Sequence, residues 1–403
     1  MSSLPDWPIS SLAVVAAAVA LAWGAGRVAR LIGQPPVIGE LVAGIVLGPS
    51  VFGAMMPDAS SRLLTPFVVS AIGHLGSWSV VAFMFLVGLE LDTSVLRRHA
   101  AGVLRIASVS LIVPFAIGVT VAWRLFPSWH GEVANAPSFI LFGGTALSIT
   151  AMPVLTRILD DLQMRTTTIG TVAIGCSAIN DVAAWTLLGF VVSLSSGRAS
   201  PIATVVFTTA YVSVMFLLVR PALARVAGVR AHRAGRAAWI ACVAVVAVGS
   251  GIVSDRIGLH AVFGALLAGA CIPRQPHVLE GLDRPLRSLI APVLPAFFIL
   301  IGMRTQIGLV SGVAGWSVLA GLIVCAAIGK LGASAVAARF AGFSWRDAFV
   351  IGSLLNTRGL VELVALDIGR ELGILSPPLF AIFVVMTFVT TFITAPLVRW
   401  LMK

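Results

Sequence analysis

The chain of 403 residues is 59% hydrophobic and 11% charged, with a net charge of +11 and a mean hydropathy of +1.04. A soluble domain carries about 25% charged residues, so that class is excluded and the chain reads as an all-α polytopic membrane protein. Its basic residues are scattered over loop ends and form no groove-lining stripe, which excludes nucleic acid as the partner behind the positive charge.

Apolar windows between short Arg-bearing loops predict about thirteen transmembrane spans, at 9–26, 36–52, 66–90, 102–123, 137–158, 167–195, 201–220, 237–254, 258–272, 287–303, 311–338, 347–369 and 377–400. The leading MSSLPDWPIS has an Asp and no basic n-region, so the first span is expected to be retained rather than cleaved. Glu40 in the second span, and Glu90 with Asp92 at the end of the third, lie near span ends where water can reach them. They read as packing or gate residues.

The fifth span, FILFGGTALSITAMPVLTRIL, contains Pro153. Its ring removes a donor and pushes Met152 off helical geometry, which predicts a break near Ile149 and Thr150 with freed carbonyls. The sixth window, from Thr166 to Ser195, is uncharged except for Asp181. A carboxylate near the membrane centre costs a few kcal/mol on insertion scales and normally faces a cavity and a task. Asn180 precedes it and Ser177 lies one turn earlier on the same face.

The longest inner loop, from about Arg220 to Arg236, is Arg-rich. It divides the spans into six, a connecting seventh and six more, and an odd number of spans between equivalent elements gives two halves of opposite orientation. One transmembrane domain over 1–400 is therefore expected, with a first repeat at 1–195, a linker helix and loop at 196–236 and a second repeat at 237–400. A soluble regulatory domain is not expected, nor is ATP-driven transport, since there is no GxxxxGK[ST] loop.

In the eleventh span, VCAAIGKLGASAV places Lys330 at a buried position in a chain that otherwise uses Arg almost throughout. An ammonium can release its proton when desolvated and a guanidinium practically cannot, so Lys330 is either a titrating partner or a fixed counter-charge. The twelfth span, AFVIGSLLNTRGLVELVALDIG, is interrupted by Asn356, Thr357, Arg358 and Gly359. It is the fifth of its half, as the Pro153 span is of the other, and interrupted helices at matching repeat positions point to a midplane site. Arg358 and Glu362 are spaced to pair on one face, with Arg358 expected to satisfy the carbonyl ends of the broken helices and Glu362 to balance it.

Most of the 27 Lys and Arg residues, among them Arg27, Arg30, Arg157, Arg165, Arg220, Arg287, Arg339 and Lys403, fall on one side of these spans. Arg62, Arg124, Arg198, Arg256, Arg304 and Arg370 fall on the other. The positive-inside rule then sets the N-terminus outside and the C-terminus in the cytoplasm of a multi-pass cell-membrane protein. Cys176, Cys242, Cys271 and Cys325 lie within spans without CxxC spacing and read as packing residues. The histidines (His74, His99, His130, His232, His260, His277) show no ligand spacing, so no metal or other cofactor is expected.

The stretches PPVIGELVAGIVLGPSVFG, FMFLVGLELD, TALSITAMPVLTRIL, SAINDVAAW, LLNTRGLVELVALDIG and TFVTTFITAPLV, with the Lys330 span between the last two and SAINDVAAW, run in family order from about residue 35 to 400. Together they resemble the monovalent cation:proton antiporter superfamily, in the branch of Kef-type potassium efflux systems and plant cation/proton exchangers. The resemblance implies about thirteen helices in two inverted repeats. It also implies a core domain with two crossing unwound helices, and a dimerisation domain built from the first spans of each repeat.

By motif, the resemblance makes Asp181 the carboxylate that holds either cation or proton, with Asn180 beside it, Ser148 and Thr150 on the first unwound helix and Asn356 and Thr357 on the second. Ser177 joins them from the residue pattern. Electrogenic relatives carry two adjacent carboxylates where this chain has Asn180 and Asp181, which leaves the partner of Lys330 open. The function read from all this is electroneutral exchange of Na+ or K+ for H+ by alternating access, in a homodimer among membrane lipids, with a role in pH homeostasis and no enzyme activity. The rivals are a sodium-coupled organic-anion carrier of related architecture and a cation channel. The latter is disfavoured by the absence of a repeated filter such as TVGYG.

Overall fold

The computed structural model describes residues 9–90, 100–196, 201–230, 235–257, 259–273 and 275–403. Asp92, His99 and His232 lie outside them. The described chain is helical almost throughout. The first half holds α1 (Ile9–Leu31), α2 (Pro36–Leu47), α3 (Pro66–Glu90), α4 (Ala100–Trp129), α5 (Ala136–Ser148), α6 (Met152–Asp161) and α7 (Thr168–Ser196). Between the halves, α8 (Pro201–Val214) runs through a π turn into α9 (Arg220–Arg230). The second half holds α10 (Gly235–Ile257), α11 (Ala261–Cys271), α12 (Pro276–Ile290), α13 (Pro295–Arg304), α14 (Gly312–Ala326), α15 (Ala333–Phe340), α16 (Trp345–Leu355), α17 (Leu360–Glu371) and α18 (Pro377–Met402).

Among the described residues ten helices are long and apolar enough to cross a membrane, or twelve when the two pairs bent by 40° are each taken as one span. The remaining expected span, 258–272, is the helix α11 of 11 residues. At 1.5 Å per residue it reaches only ~16 Å, about half the hydrocarbon thickness. It needs no lipid contact of its own, because its residues are almost all buried between α3 and α10.

The packing repeats itself across the two halves. Helix α1 lies on α2 as α10 lies on α11, and α4 lies on α5 as α15 lies on α16. Helix α2 crosses α13, and α3 crosses α11, each first-half span meeting the other's counterpart, as two inverted repeats require. Glycines make both crossings possible. A Cβ on Gly44 of α2 would lie 2.8 Å from the Gly302 Cα of α13, and one on Gly88 of α3 would lie 3.0 Å from the Gly269 Cα of α11. Small residues at crossings let apolar helices gain van der Waals contact where lipid offers no hydrophobic drive.

Two bundles result. Helices α4–α7 and α14–α18 pack together, and α1–α3 pack with α10–α13. The break between α5 and α6 falls at Ile149–Ala151, where the backbone is extended. The break between α16 and α17 falls at Asn356–Gly359, and Gly359 has φ 159°, ψ −132°, a region open essentially to glycine alone. The two breaks are joined where the Ala151 amide donates to the Thr357 carbonyl at 3.0 Å.

Candidate ion site

Freed backbone inside a membrane must find partners within the protein, and Arg358 supplies them for the first broken helix. Its two terminal nitrogens donate to the Ala146 and Leu147 carbonyls at 2.9 and 2.8 Å, and Nη1 also meets Glu362 Oε1 at 2.6 Å. A cation is thus fixed at the negative end of α5. Arg358 and Glu362 are both fully buried. The Arg358 backbone is held by Thr391 of α18, whose Oγ1 donates to the Arg358 carbonyl at 2.8 Å and accepts from its amide at 3.3 Å.

The second cation, Lys330, sits in a π turn, Ala327–Gly332, between α14 and α15. Such turns insert one extra residue and collect at functional sites. Lys330 is fully buried, and its Nζ donates to Thr150 Oγ1 at 2.6 Å. Thr150 in turn donates to the Leu355 carbonyl at 3.2 Å, so the ammonium is coupled through one hydroxyl to the negative end of α16. Ser148 closes α5 and donates back to the Thr145 carbonyl at 2.8 Å.

Asp181, Asn180 and Ser177 lie on α7, all with no exposed surface. Both Asp181 carboxylate oxygens lack a hydrogen bond of ordinary geometry. The groups acting on the carboxylate are the Lys330 ammonium and the amide of Met152, which opens α6 with the positive end of its dipole. Ser177 Oγ, Asn180 Oδ1, Asn356 Oδ1 and Thr357 Oγ1 are likewise buried without partners. Such groups are costly in an apolar interior. These four oxygens are carried by α7 and the α16–α17 break, and oxygen is the donor type that binds Na+ or K+; the same segments also leave the donors Trp185 Nε1 and Arg358 Nε without partners.

Every residue named from the sequence for this site is therefore on α7, at the last residue of α5, on one of the two breaks, on the π turn or on the first turn of α17. Ser110 of α4 is the residue that sequence reasoning missed. It is fully buried, and its Oγ accepts from Asn180 Nδ2 at 2.8 Å. A lone Ser in an apolar span has no pattern to mark it.

A cavity of about 760 Å³ opens between the bundles on the face that bears Arg30, Arg157, Arg165 and Arg287, and its lining extends to Pro153, Val154 and Leu360. Pro153 adjoins Met152, so the cavity floor lies one residue from the amide that acts on Asp181. On the opposite face, Arg304 of α13 bridges to Asp367 and Glu371 of α17, ion pairs that clasp one bundle to the other. Glu40 lines the cavity and is buried, consistent with a wall position rather than a place at the crossing.

Residues 14–403 match the sodium/hydrogen exchanger, transmembrane family. The chain belongs to that family. Among its exchanger relatives, the Na(+)/H(+) antiporter NhaS4 of Synechocystis sp. is 32% identical over 386 residues, covering 92% of this chain and 93% of that protein. The Cation/H(+) antiporter 17 of Arabidopsis thaliana is 35% identical over 376 residues, 92% of this chain but 45% of that protein. The K(+)/H(+) antiporter 1 of Saccharomyces cerevisiae is 31% identical, with 91% and 43% covered. The chain thus spans about half the length of its plant and yeast relatives. Among solved structures, the sodium proton antiporter MjNhaP1 from Methanocaldococcus jannaschii superposes with a TM-score of 0.65 at 15% identity, covering 97% of this chain and 96% of that one. That likeness supports the same exchanger fold.

Proposed function

We propose that this exchanger-family protein is a secondary active antiporter that trades Na+ or K+ for H+ at Asp181. The observation that carries the reading is a fully buried carboxylate with neither oxygen in a hydrogen bond of ordinary geometry, set beside a crossing of two broken helices. A carboxylate with no ordinary hydrogen bond is costly there. It is neutralised by a proton or by a cation, so the two compete for the same oxygens and exchange needs no signal between separate sites. Asn180, Ser177, Asn356 and Thr357 supply further oxygens to the cation, and Ser148 and Thr150 line the first break.

Arg358 and Glu362 cancel each other, and Lys330 hydrogen-bonds Thr150 rather than a carboxylate. One titrating carboxylate then gives one-for-one, electroneutral exchange. The open cavity on one face and the Arg304 clasp on the other fit alternating access, with the α4–α7 and α14–α18 bundle moving against the remainder. The occluded Asp181 disfavours a continuous channel. A buried carboxylate at the site disfavours an anionic cargo.

The reading extends to a cell-membrane homodimer in contact with lipid, organised as two repeats about the 196–236 linker. Its N-terminus lies outside and its C-terminus in the cytoplasm, where the Arg-rich cavity opens. In proteoliposomes, dye-reported proton movement on adding Na+, K+, Li+ or Rb+ tests the function. The absence of cation-driven proton movement for every ion would refute it.

A further inference from the structure

We propose that Ser110 is a positioning residue for the exchange, acting through Asn180. The inference rests on the reading of Asp181 and Asn180 as cation ligands. It follows from counting hydrogens. Asn180 faces two hydroxyls, Ser110 Oγ at 2.8 Å and Thr150 Oγ1 at 3.5 Å. Each hydroxyl has one hydrogen to give, and each has already given it to a carbonyl: Ser110 to Ala107 at 3.0 Å and Thr150 to Leu355 at 3.2 Å. Thr150 also receives the Lys330 ammonium.

Both hydroxyls therefore present only lone pairs to Asn180, and its NH2 group is the only end that can face them. The amide orientation is set by this arithmetic, and Asn180 Oδ1 is left buried and without a partner, free to serve a cation at Asp181. Were the amide reversed, its oxygen would meet two hydroxyl oxygens and its NH2 would repel the cation. Ser110 supplies the shorter of the two contacts that fix the choice. Helix α4 is also adapted at this point: Pro114 removes the N–H that would bond the Ser110 carbonyl. Pro114 packs on the π turn, since a Cβ on Gly329 would lie 3.1 Å from its Cα.

The test is the Ser110→Ala variant in proteoliposomes, with the cation concentration for half-maximal exchange measured separately from the maximal rate. Losing one hydrogen bond that orients a ligand is expected to raise the half-maximal concentration about fivefold, with a maximal rate near wild type. Cation-induced thermal stabilisation of the purified protein should shift to higher cation concentration in parallel. Ser110→Thr, which keeps the hydroxyl, should recover much of the affinity. In an Asn180→Ala background, Ser110→Ala should add nothing, because the residue it positions is gone. An unchanged half-maximal concentration in the single variant, or an undiminished effect in the Asn180→Ala background, would overturn the proposal. Wild-type protein that moves no protons in response to cations would refute the exchanger reading instead, so the two failures are distinguishable.

Discussion

Replacing Arg358 by Met should destabilise the fold severely, and replacing Glu362 as well should restore part of the loss. In the native protein the guanidinium serves Glu362 and the carbonyls of Ala146 and Leu147 at once, with no solvent access. Removing one partner of a buried ion pair costs about 3–5 kcal/mol, because the other charge stays buried and uncompensated. The two carbonyls lose their charged donors, at about 1–3 kcal/mol each when no other donor replaces them. The single variant should therefore lose on the order of 5 kcal/mol or more. In Arg358→Met/Glu362→Met the stranded carboxylate is gone, which should return roughly 3 kcal/mol while the carbonyls stay unpaired. Equilibrium unfolding in mixed micelles of increasing denaturing detergent would measure both. A loss below about 1 kcal/mol in the single variant, or a double variant no better than the single, would refute the assignment of Arg358 as the structural cation of the broken helices.

Two further outcomes follow from the site and the charge pattern. Asn180→Asp would set a carboxylate oxygen against the Ser110 and Thr150 lone pairs, one hydroxyl from Lys330. Approach of the ammonium would relieve this and bring a second charge into the cycle. Exchange should then become voltage-dependent under a valinomycin-clamped potential with Na+ as the driving ion, whereas wild-type rates should be indifferent. Strong voltage dependence in the wild type would instead remove the one-for-one claim. For topology, a cysteine introduced beside Arg230 should react with an impermeant maleimide only from the cytosol, and one beside Ser60 only from outside. The reverse pattern would contradict the charge count.

Local sequence carried much of this architecture. Pro153 placed the first break to within a residue or two, because its missing N–H acts wherever it stands. The Asn356–Gly359 run marked the second by its polarity and flexible glycine. The spacing of Arg358 and Glu362 predicted their pairing, since residues four apart on a helix are neighbours. Contacts between distant segments were not legible. Nothing local says that Ala151 will bond Thr357, that Arg304 will reach Asp367, or that Ser110 will meet Asn180 seventy positions on. The π turn at Lys330 was hidden as well, for AAIGKL has ordinary helical composition. Helix α11 fell short for a similar reason: the window 258–272 is apolar enough to span, but its burial between two other helices allows it to be short.

The central claim is that one buried carboxylate serves proton and cation in turn. Asp181→Asn keeps the shape of the side chain and removes its charge. Reconstituted beside the wild type, with monodispersity as the control for folding, the variant should show no cation-driven proton movement with Na+ or K+ while the wild type does. Full exchange by a well-folded Asp181→Asn protein would contradict the account.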